Sequence, residues 1–404
     1  MKGSSQETLI PVKGEPTMNR FCSIFSQLLQ LFSRIEFQQA VRETKAERHA
    51  RGFTCWGQFV AMLFCQLGRA HSLREITGGL RSCEGKLKHL GITAPKRSTL
   101  AYANEHRPWQ LYQHLFIQLL DRCRSQLPGN KKFRFKNKLV SLDSTTIDLC
   151  LSIFNWAHFR RTKGAIKLHL LLDHDGYLPE FAVLSDGKVA DVKIARQLHF
   201  SPGTIVVDDR AYTDYALWGR WCSQRVYFVT RMKDNALYEV LGDKRVPQHR
   251  HVLKDEQIEL RGPKAIEKCP FPLRRIEVED PETGEVLVFL TNNFVLGAST
   301  IAAIYKDRWE IEIFFKHLKQ NLKIKTFVGT SPNAVKIQIW TALIAILILR
   351  FLQLRSKFSW SLSNLVALLR MNLFTHRDLW PWLNHPFQTD PIPYEPEQLC
   401  LSWG

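Results

Sequence analysis

The 404-residue chain lacks several features that would each assign it to a class. No two of its cysteines have C-x2-C spacing. There are nine of them, an odd number, and most sit in apolar stretches such as Leu63-Phe64-Cys65. This excludes a zinc site and a disulfide framework, and points to reduced, buried thiols in a cytoplasmic protein. Residues 1–17 contain no apolar h-region, so no secretory signal is expected. The longest apolar run, Ile339–Leu349, is interrupted by Thr341 and closed by Arg350. It falls short of the roughly 20 residues needed to cross a bilayer, so a buried helix is expected and no membrane partner. No internal repeat is visible. Acidic residues are scarce: 38 against 56 Lys and Arg, a formal charge of +18. Such a surplus calls for an anionic partner, and nucleic acid is the usual one. Apolar content is ordinary at 45%, which excludes wholesale disorder and allows two or three domains.

The texture divides the chain. Residues 1–18 read as a loose tail and 19–130 as an all-α N-terminal domain. Within it, Phe53–Leu67 is an apolar helix ending at Gly68, Ser72-Leu73-Arg74-Glu75 fits a capping box, and Ser98–Arg107 is a short helix stopped by Pro108. Helix, turn and helix in a basic protein allow DNA binding, and equally allow a plain bundle. Lys131–Lys138 is a basic run interleaved with Phe133 and Phe135; it reads as a phosphate-tracking segment or as a solvated linker. Strand signals follow at Leu139–Leu142, Ala165–Leu172 and Leu178–Leu184, the last two joined through His174-Asp175-Gly176. A helix over Asp191–His199, a strand over Thr204–Val207, a helix over Tyr212–Ser223 and a strand over Val226–Thr230 complete the series. This is the order of a ribonuclease-H-like α/β core, over 131–234 and 294–375, with acidic residues at the ends of its first and fourth strands. Residues 235–293 read as a β insertion with a hairpin of Leu273–Val278 and Val286–Thr291. One long helix then begins near Ile301, and 376–404 form a C-terminal end.

The most informative pattern is Tyr305-x2-Arg308-x3-Glu312-x6-Lys319. On a helical wheel these four residues fall within about 60° of one another. Ile311, Phe314, Phe315, Leu318 and Leu322 form a separate stripe. Such a helix buries one face and presents a carboxylate among cations on another. Taken alone, that face reads equally as a solvated salt-bridge surface. Upstream, however, stand the strand-end residues Asp143 and Asp209. Three carboxylates on such a scaffold suit hard divalent cations and two-metal chemistry at phosphorus. Asp208 is adjacent to Asp209, so the register of the middle carboxylate rests on which of the two faces the metals.

These residues resemble the signature of bacterial insertion-sequence transposases of the DDE superfamily, in the family called insertion sequence four. Leu142-Asp143-Ser144-Thr145 resembles the first-Asp motif. Val207-Asp208-Asp209-Arg210-Ala211-Tyr212 resembles the second, commonly D-R-G-Y, which favours Asp209. Gly187-Lys188-Val189-Ala190-Asp191 resembles a segment that usually ends His-Asp. Ala190 and Ala211 depart from the usual His and Gly without removing an implied metal ligand. The resemblance covers roughly residues 20–370. It implies Asp143, Asp209 and Glu312 as catalytic metal ligands for two Mg²⁺ or Mn²⁺ ions, and Tyr305, Arg308, Lys316 and Lys319 as DNA contacts. Trp309 would stack near a displaced base or sit at the core edge. The implied activity is cut-and-paste transposition in the bacterial cytoplasm, at the nucleoid. A homodimer would bind terminal inverted repeats, nick the ends, form hairpins and transfer strands into target DNA. A nuclease of the same fold and an inactive DNA-binding relic are the alternatives.

Overall fold

The computed structural model describes residues 22–388, apart from 49, 51, 127–131, 151, 155, 161–162, 247–250 and 323–326. The loose tail expected over 1–18, Lys131, Cys400 and residues 389–404 of the C-terminal end lie outside the described residues. Seven helices come first: α1 (Ile24–Leu29), α2 (Arg34–Glu43), α3 (Cys55–Leu67), α4 (Leu73–Ser82), α5 (Glu84–Leu87), α6 (Arg97–His106) and α7 (Gln110–Gln126). The Thr54 hydroxyl caps α3 by accepting from the Gly57 N–H. Ser72 caps α4 by accepting from the Glu75 N–H at 3.2 Å, as the capping box requires. The Glu75 carboxylate reaches one residue further back than expected and accepts from the His71 N–H at 2.9 Å.

Next come β1 (Leu139–Leu149), β2 (His158–Arg160), β3 (Lys163–Asp173), β4 (Leu178–Asp186), α8 (Asp191–Ala195), β5 (Ile205–Val207), α9 (Tyr215–Ser223) and β6 (Tyr227–Arg231). The β3–β4 hairpin turns through Gly176, whose φ of +83° is one that an L-residue rarely adopts. Strands β4, β3, β1, β5 and β6 lie side by side in that order. β3 runs antiparallel to both of its neighbours, β4 and β1, and β5 and β6 run parallel to β1. This is the ribonuclease-H-like order. The insertion supplies β7 (Tyr238–Asp243), β8 (Val252–Leu260), α10 (Pro263–Lys268), β9 (Leu273–Glu279) and β10 (Val286–Thr291). Its strands extend the same sheet, because β10 pairs with β6. Helices α11 (Ala298–Asp307), α12 (Trp309–Asn321), α13 (Pro332–Arg355), α14 (Leu362–Asn372) and α15 (Leu379–Asn384) close the chain.

Four expectations need correction. β1 does not end at Asp143 but continues to Leu149, because it stays paired to β3 as far as Leu149 opposite Gly164. The helix expected over Asp191–His199 stops after Ala195. That expected from Tyr212 is a short 3₁₀ turn over Arg210–Tyr212 followed by α9. The single long helix near Ile301 is two helices with Arg308 between them. There the Arg308 N–H bonds to the Tyr305 carbonyl and the Ile311 N–H to the Arg308 carbonyl, tightening the turn.

The core crosses from helices to sheet. Helix α13 is long and apolar enough to span a bilayer by length and composition, but 89% of its apolar window is buried inside this chain. Its hydrophobic residues run all around the helix, which suits a helix covered on every side. It packs against α3, α6 and α7 of the N-terminal helices and against β4. Ile311, Phe314, Phe315, Leu318 and Leu322, the stripe expected to be apolar, join the same cluster. The described cysteines are all free, and Cys55, Cys65, Cys123 and Cys269 are buried.

Candidate active site

The sheet places two of the three carboxylates. β1 and β5 pair in parallel, with Val140 opposite Val206 and Ser141 opposite Val207. Two residues further, that register sets Asp143 beside Asp209. β5 has ended by then, so β1 projects past its partner and leaves a notch. Side chains alternate between the faces of a sheet. Leu139, Ile205 and Val207 pack against Ile301 and Ile304 of α11. Val140, Leu142 and Val206 pack with Trp218 and Trp221 of α9. Asp143 and Asp209 therefore belong to the α11 face and Asp208 to the α9 face. Asp208 is completely buried, and burial pushes its carboxyl well above the usual carboxylate range. Asp209 caps the turn that follows it, its Oδ1 accepting from the Ala211 N–H at 2.9 Å.

Arg308 joins the third carboxylate to the notch. Its Nη2 donates to Glu312 Oε1 at 2.7 Å and its Nη1 to Asp143 Oδ2 at 3.4 Å. The guanidinium carbon lies 5.3 Å above the Tyr305 ring, which itself packs on Phe289 of β10 at 4.9 Å. Burial works against the charge on Arg308, but Tyr305, Glu312 and Asp143 outweigh it and hold its proton more firmly than usual. Asp143 is 15% exposed at its side chain and accepts the Ser144 N–H at 2.7 Å. Burial raises its pKa to about 7; the Ser144 N–H and Arg308 oppose this, and the charges of Asp209 and Glu312 add to it. Among the described residues no three His, Cys, Asp or Glu side chains stand close enough to enclose a metal ion. Asp143 feels the charges of Asp209 and Glu312, and the Arg308 guanidinium bridges Asp143 and Glu312. On α12, Trp309 is 59% exposed, Lys316 is exposed and Lys319 is half-buried. Lys319 lies two turns beyond Glu312, about 10 Å along the axis.

Residues 134–348 match the family described as Transposase DDE domain, and residues 22–93 match a domain of unknown function, DUF4372. A Sinorhizobium fredii protein named as the transposase y4zB is 31% identical over 290 residues, covering 71% of this chain and 80% of that protein. A Geobacillus stearothermophilus protein, named as the transposase for insertion sequence element IS5377, is 29% identical over 64% of this chain and 68% of its own length. This chain belongs to the DDE transposase family. It is a DNA transposase of the bacterial insertion-sequence kind, with a mixed α/β fold whose strand order is ribonuclease-H-like. The structure also aligns with the piggyBac transposase in a synaptic complex with hairpin DNA, at a TM-score of 0.41 and 10% identity over 87% of this chain and 80% of that one.

Around its carboxylates the transposase carries two polar networks that pattern reading did not find. Asp191, at the end of the Gly187–Asp191 segment, accepts from Ser144 Oγ at 2.6 Å and from Lys167 Nζ at 3.2 Å. His169 stands 3.4 Å from Asp191 and bonds Ser185 at 2.7 Å; burial lowers its pKa to about 4, so it is neutral. Tyr212 is buried among Asp143, Asp191, Asp208 and Asp209, and burial followed by those charges keeps its phenol protonated. On the other side, Ser141 Oγ lies 2.7 Å from His174 Nε2, and His174 Nδ1 lies 2.5 Å from Asp307 Oδ2. Tyr177 and Lys132 also donate to Asp307. Ser141, His174 and Asp307 are all buried, so this line of three is a brace and not an exposed nucleophile. Its ends are two residues before Asp143 and one before Arg308. The only available signal was Asp307 itself, inside the Tyr305–Lys319 signature but off its wheel face.

Proposed function

We propose that Asp143, Asp209 and Glu312 hold divalent cations, Mg²⁺ or Mn²⁺, for cut-and-paste transposition at an insertion sequence's ends. The family generally uses divalent metal ions. The donor set fits them: three carboxylates offer hard oxygen ligands, and burial with like charge keeps Asp143 from ionising fully at neutral pH. Bound there, such ions would activate an attacking oxygen and stabilise the leaving oxygen of a phosphodiester. The protein's own groups do the rest. Arg308, freed from its two carboxylates, offers a planar fork of donors to a phosphate. Tyr305 supports that guanidinium from below, and Lys319 offers a second charge along α12. Trp309, exposed beside them, is available to stack on a displaced base. Lys316 adds a cation on the exposed side of the same helix.

The reaction follows from phosphoryl-transfer chemistry. Hydrolysis at each end frees a 3′-hydroxyl, which attacks the opposite strand to give a hairpin; hairpin opening and strand transfer into target DNA follow. Two subunits pair the two ends, and α1–α7 serve as the helical domain that helps bind the inverted repeats. The observation that carries this reading is the sheet register that sets Asp143 beside Asp209 on the face where Arg308 brings Glu312. The test uses labelled transposon ends with Mg²⁺. Asp143→Asn, Asp209→Asn and Glu312→Gln should each abolish nicking while leaving end binding intact, and the wild type should join pre-cut ends to target DNA. A wild type that cuts and never joins would make this a nuclease.

A further inference from the structure

The basic run before β1 is built as a row. Lys132, Arg134, Lys136 and Lys138 are exposed at every second position, while Phe133, Phe135 and Asn137 between them are half-buried. The two Phe rings stack at 5.2 Å and pack against the core of the α11 face. The Asn137 amide donates to the Gly203 carbonyl at 2.6 Å. The segment is thus anchored from inside, which a solvated linker is not. Lys132, Lys136 and Lys138 line a cleft of about 380 Å³, together with Arg124 from the end of α7 and Asp173, His174 and Asp175 from the β3–β4 turn, and Arg134 stands exposed in the same row outside it. Lys132 pairs with Asp307, Lys138 with Glu180, and Arg124 with Asp173. Among the described residues no ion pair is made by Arg134 or Lys136.

We infer that residues 132–138 form a rail for the phosphate backbone of duplex DNA leaving the carboxylate site, an inference that rests on the transposase reading above. The row begins at Lys132, whose partner Asp307 directly precedes Arg308, so DNA held at Arg308 meets the rail next. A line of cations at alternate positions matches a linear polyanion better than a compact anion. Its ligands are phosphates, so it grips without reading sequence. An anchored row also loses little side-chain and backbone freedom when the duplex arrives.

The test measures binding of short fluorescein-labelled duplexes to the full chain, without divalent metal, as salt is varied. Each phosphate contact contributes a slope of about −0.9 in log K against log salt, so Arg134→Gln with Lys136→Gln should make the slope shallower by about 1.8. That corresponds to affinity on the order of 30-fold weaker near physiological salt. The loss should be equal on a transposon end and on an unrelated duplex. Arg134→Lys with Lys136→Arg should keep the wild-type slope, which excludes misfolding as the cause. An unchanged slope in the double Gln variant, or a loss confined to one sequence, would overturn the rail while wild-type cleavage left the transposase reading standing. A wild type that bound no duplex at all would overturn both.

Discussion

Replacing the buried Asp143 by Asn should stabilise the metal-free protein while abolishing its chemistry. The carboxyl's pKa is raised from its ordinary 3.8 to about 7 by burial, despite the Ser144 N–H and Arg308. A carboxyl raised in the folded state contributes stability that is fully present below the unfolded pKa and is lost as pH rises through the folded one. At about 1.4 kcal/mol per pH unit, the loss between pH 4 and pH 8 is about 4 kcal/mol, of which about 3 falls between pH 5 and pH 8. Asparagine keeps the shape and the oxygen that accepts the Ser144 N–H but does not ionise. The other raised carboxyls, Asp173 and Asp208, are common to both proteins and cancel in the difference. Urea unfolding at several pH values, in chelator, should therefore show the Asn variant gaining on wild type as pH rises. Mg²⁺ should then stabilise wild type and leave the variant unmoved, because only a folded site with three carboxylates repays the cost through binding. A variant less stable than wild type at pH 8, or a difference independent of pH, would refute the reasoning.

Asp208→Asn should retain cleavage, since that side chain is buried on the α9 face, away from the other carboxylates, whereas Asp209→Asn should lose it; the reverse result in a nicking assay would move the middle carboxylate by one residue. Arg308→Ala and Lys319→Ala should slow hairpin formation and strand transfer more than the first nick, because the later steps need the terminal nucleotide held in a distorted position; equal slowing in a product time course would make them general DNA-binding charge. Trp309→Ala should leave the urea midpoint unchanged, given its exposure, yet weaken stacking on a terminal 2-aminopurine by about 1–3 kcal/mol, read from the fluorescence titration. His174→Ala should cost about 3 kcal/mol in urea unfolding by leaving buried Asp307 and Ser141 short of a partner, and a loss below 1 kcal/mol would remove the brace from the account.

Much of this site was legible because its residues lie in short local patterns. Short apolar runs mark Leu139–Leu142 and Thr204–Val207 as strands, and the acid that follows each is where a notch opens. The apolar stripe of α12 identifies its buried face, and through it the side on which Glu312 stands. The parts that were not legible depend on partners far along the chain. Nothing in Asp143-Ser144-Thr145-Thr146 says that the strand continues, because these residues are polar and their pairing is with Leu170–Lys167 on a separate strand. The junction at Arg308 is a sharper case. No proline or glycine stands there, so neither of the usual local causes of a break applies. Instead, neighbouring residues are drawn in different directions, Asp307 to His174 across 133 positions and Arg308 to Asp143 across 165. A helical wheel assumes an unbroken 100° step, and here a buried hydrogen bond and a buried ion pair set the step. The same two contacts fix where Arg308 sits between Asp143 and Glu312. The feature that pattern reading missed is thus the one that sets the geometry of the residues it found.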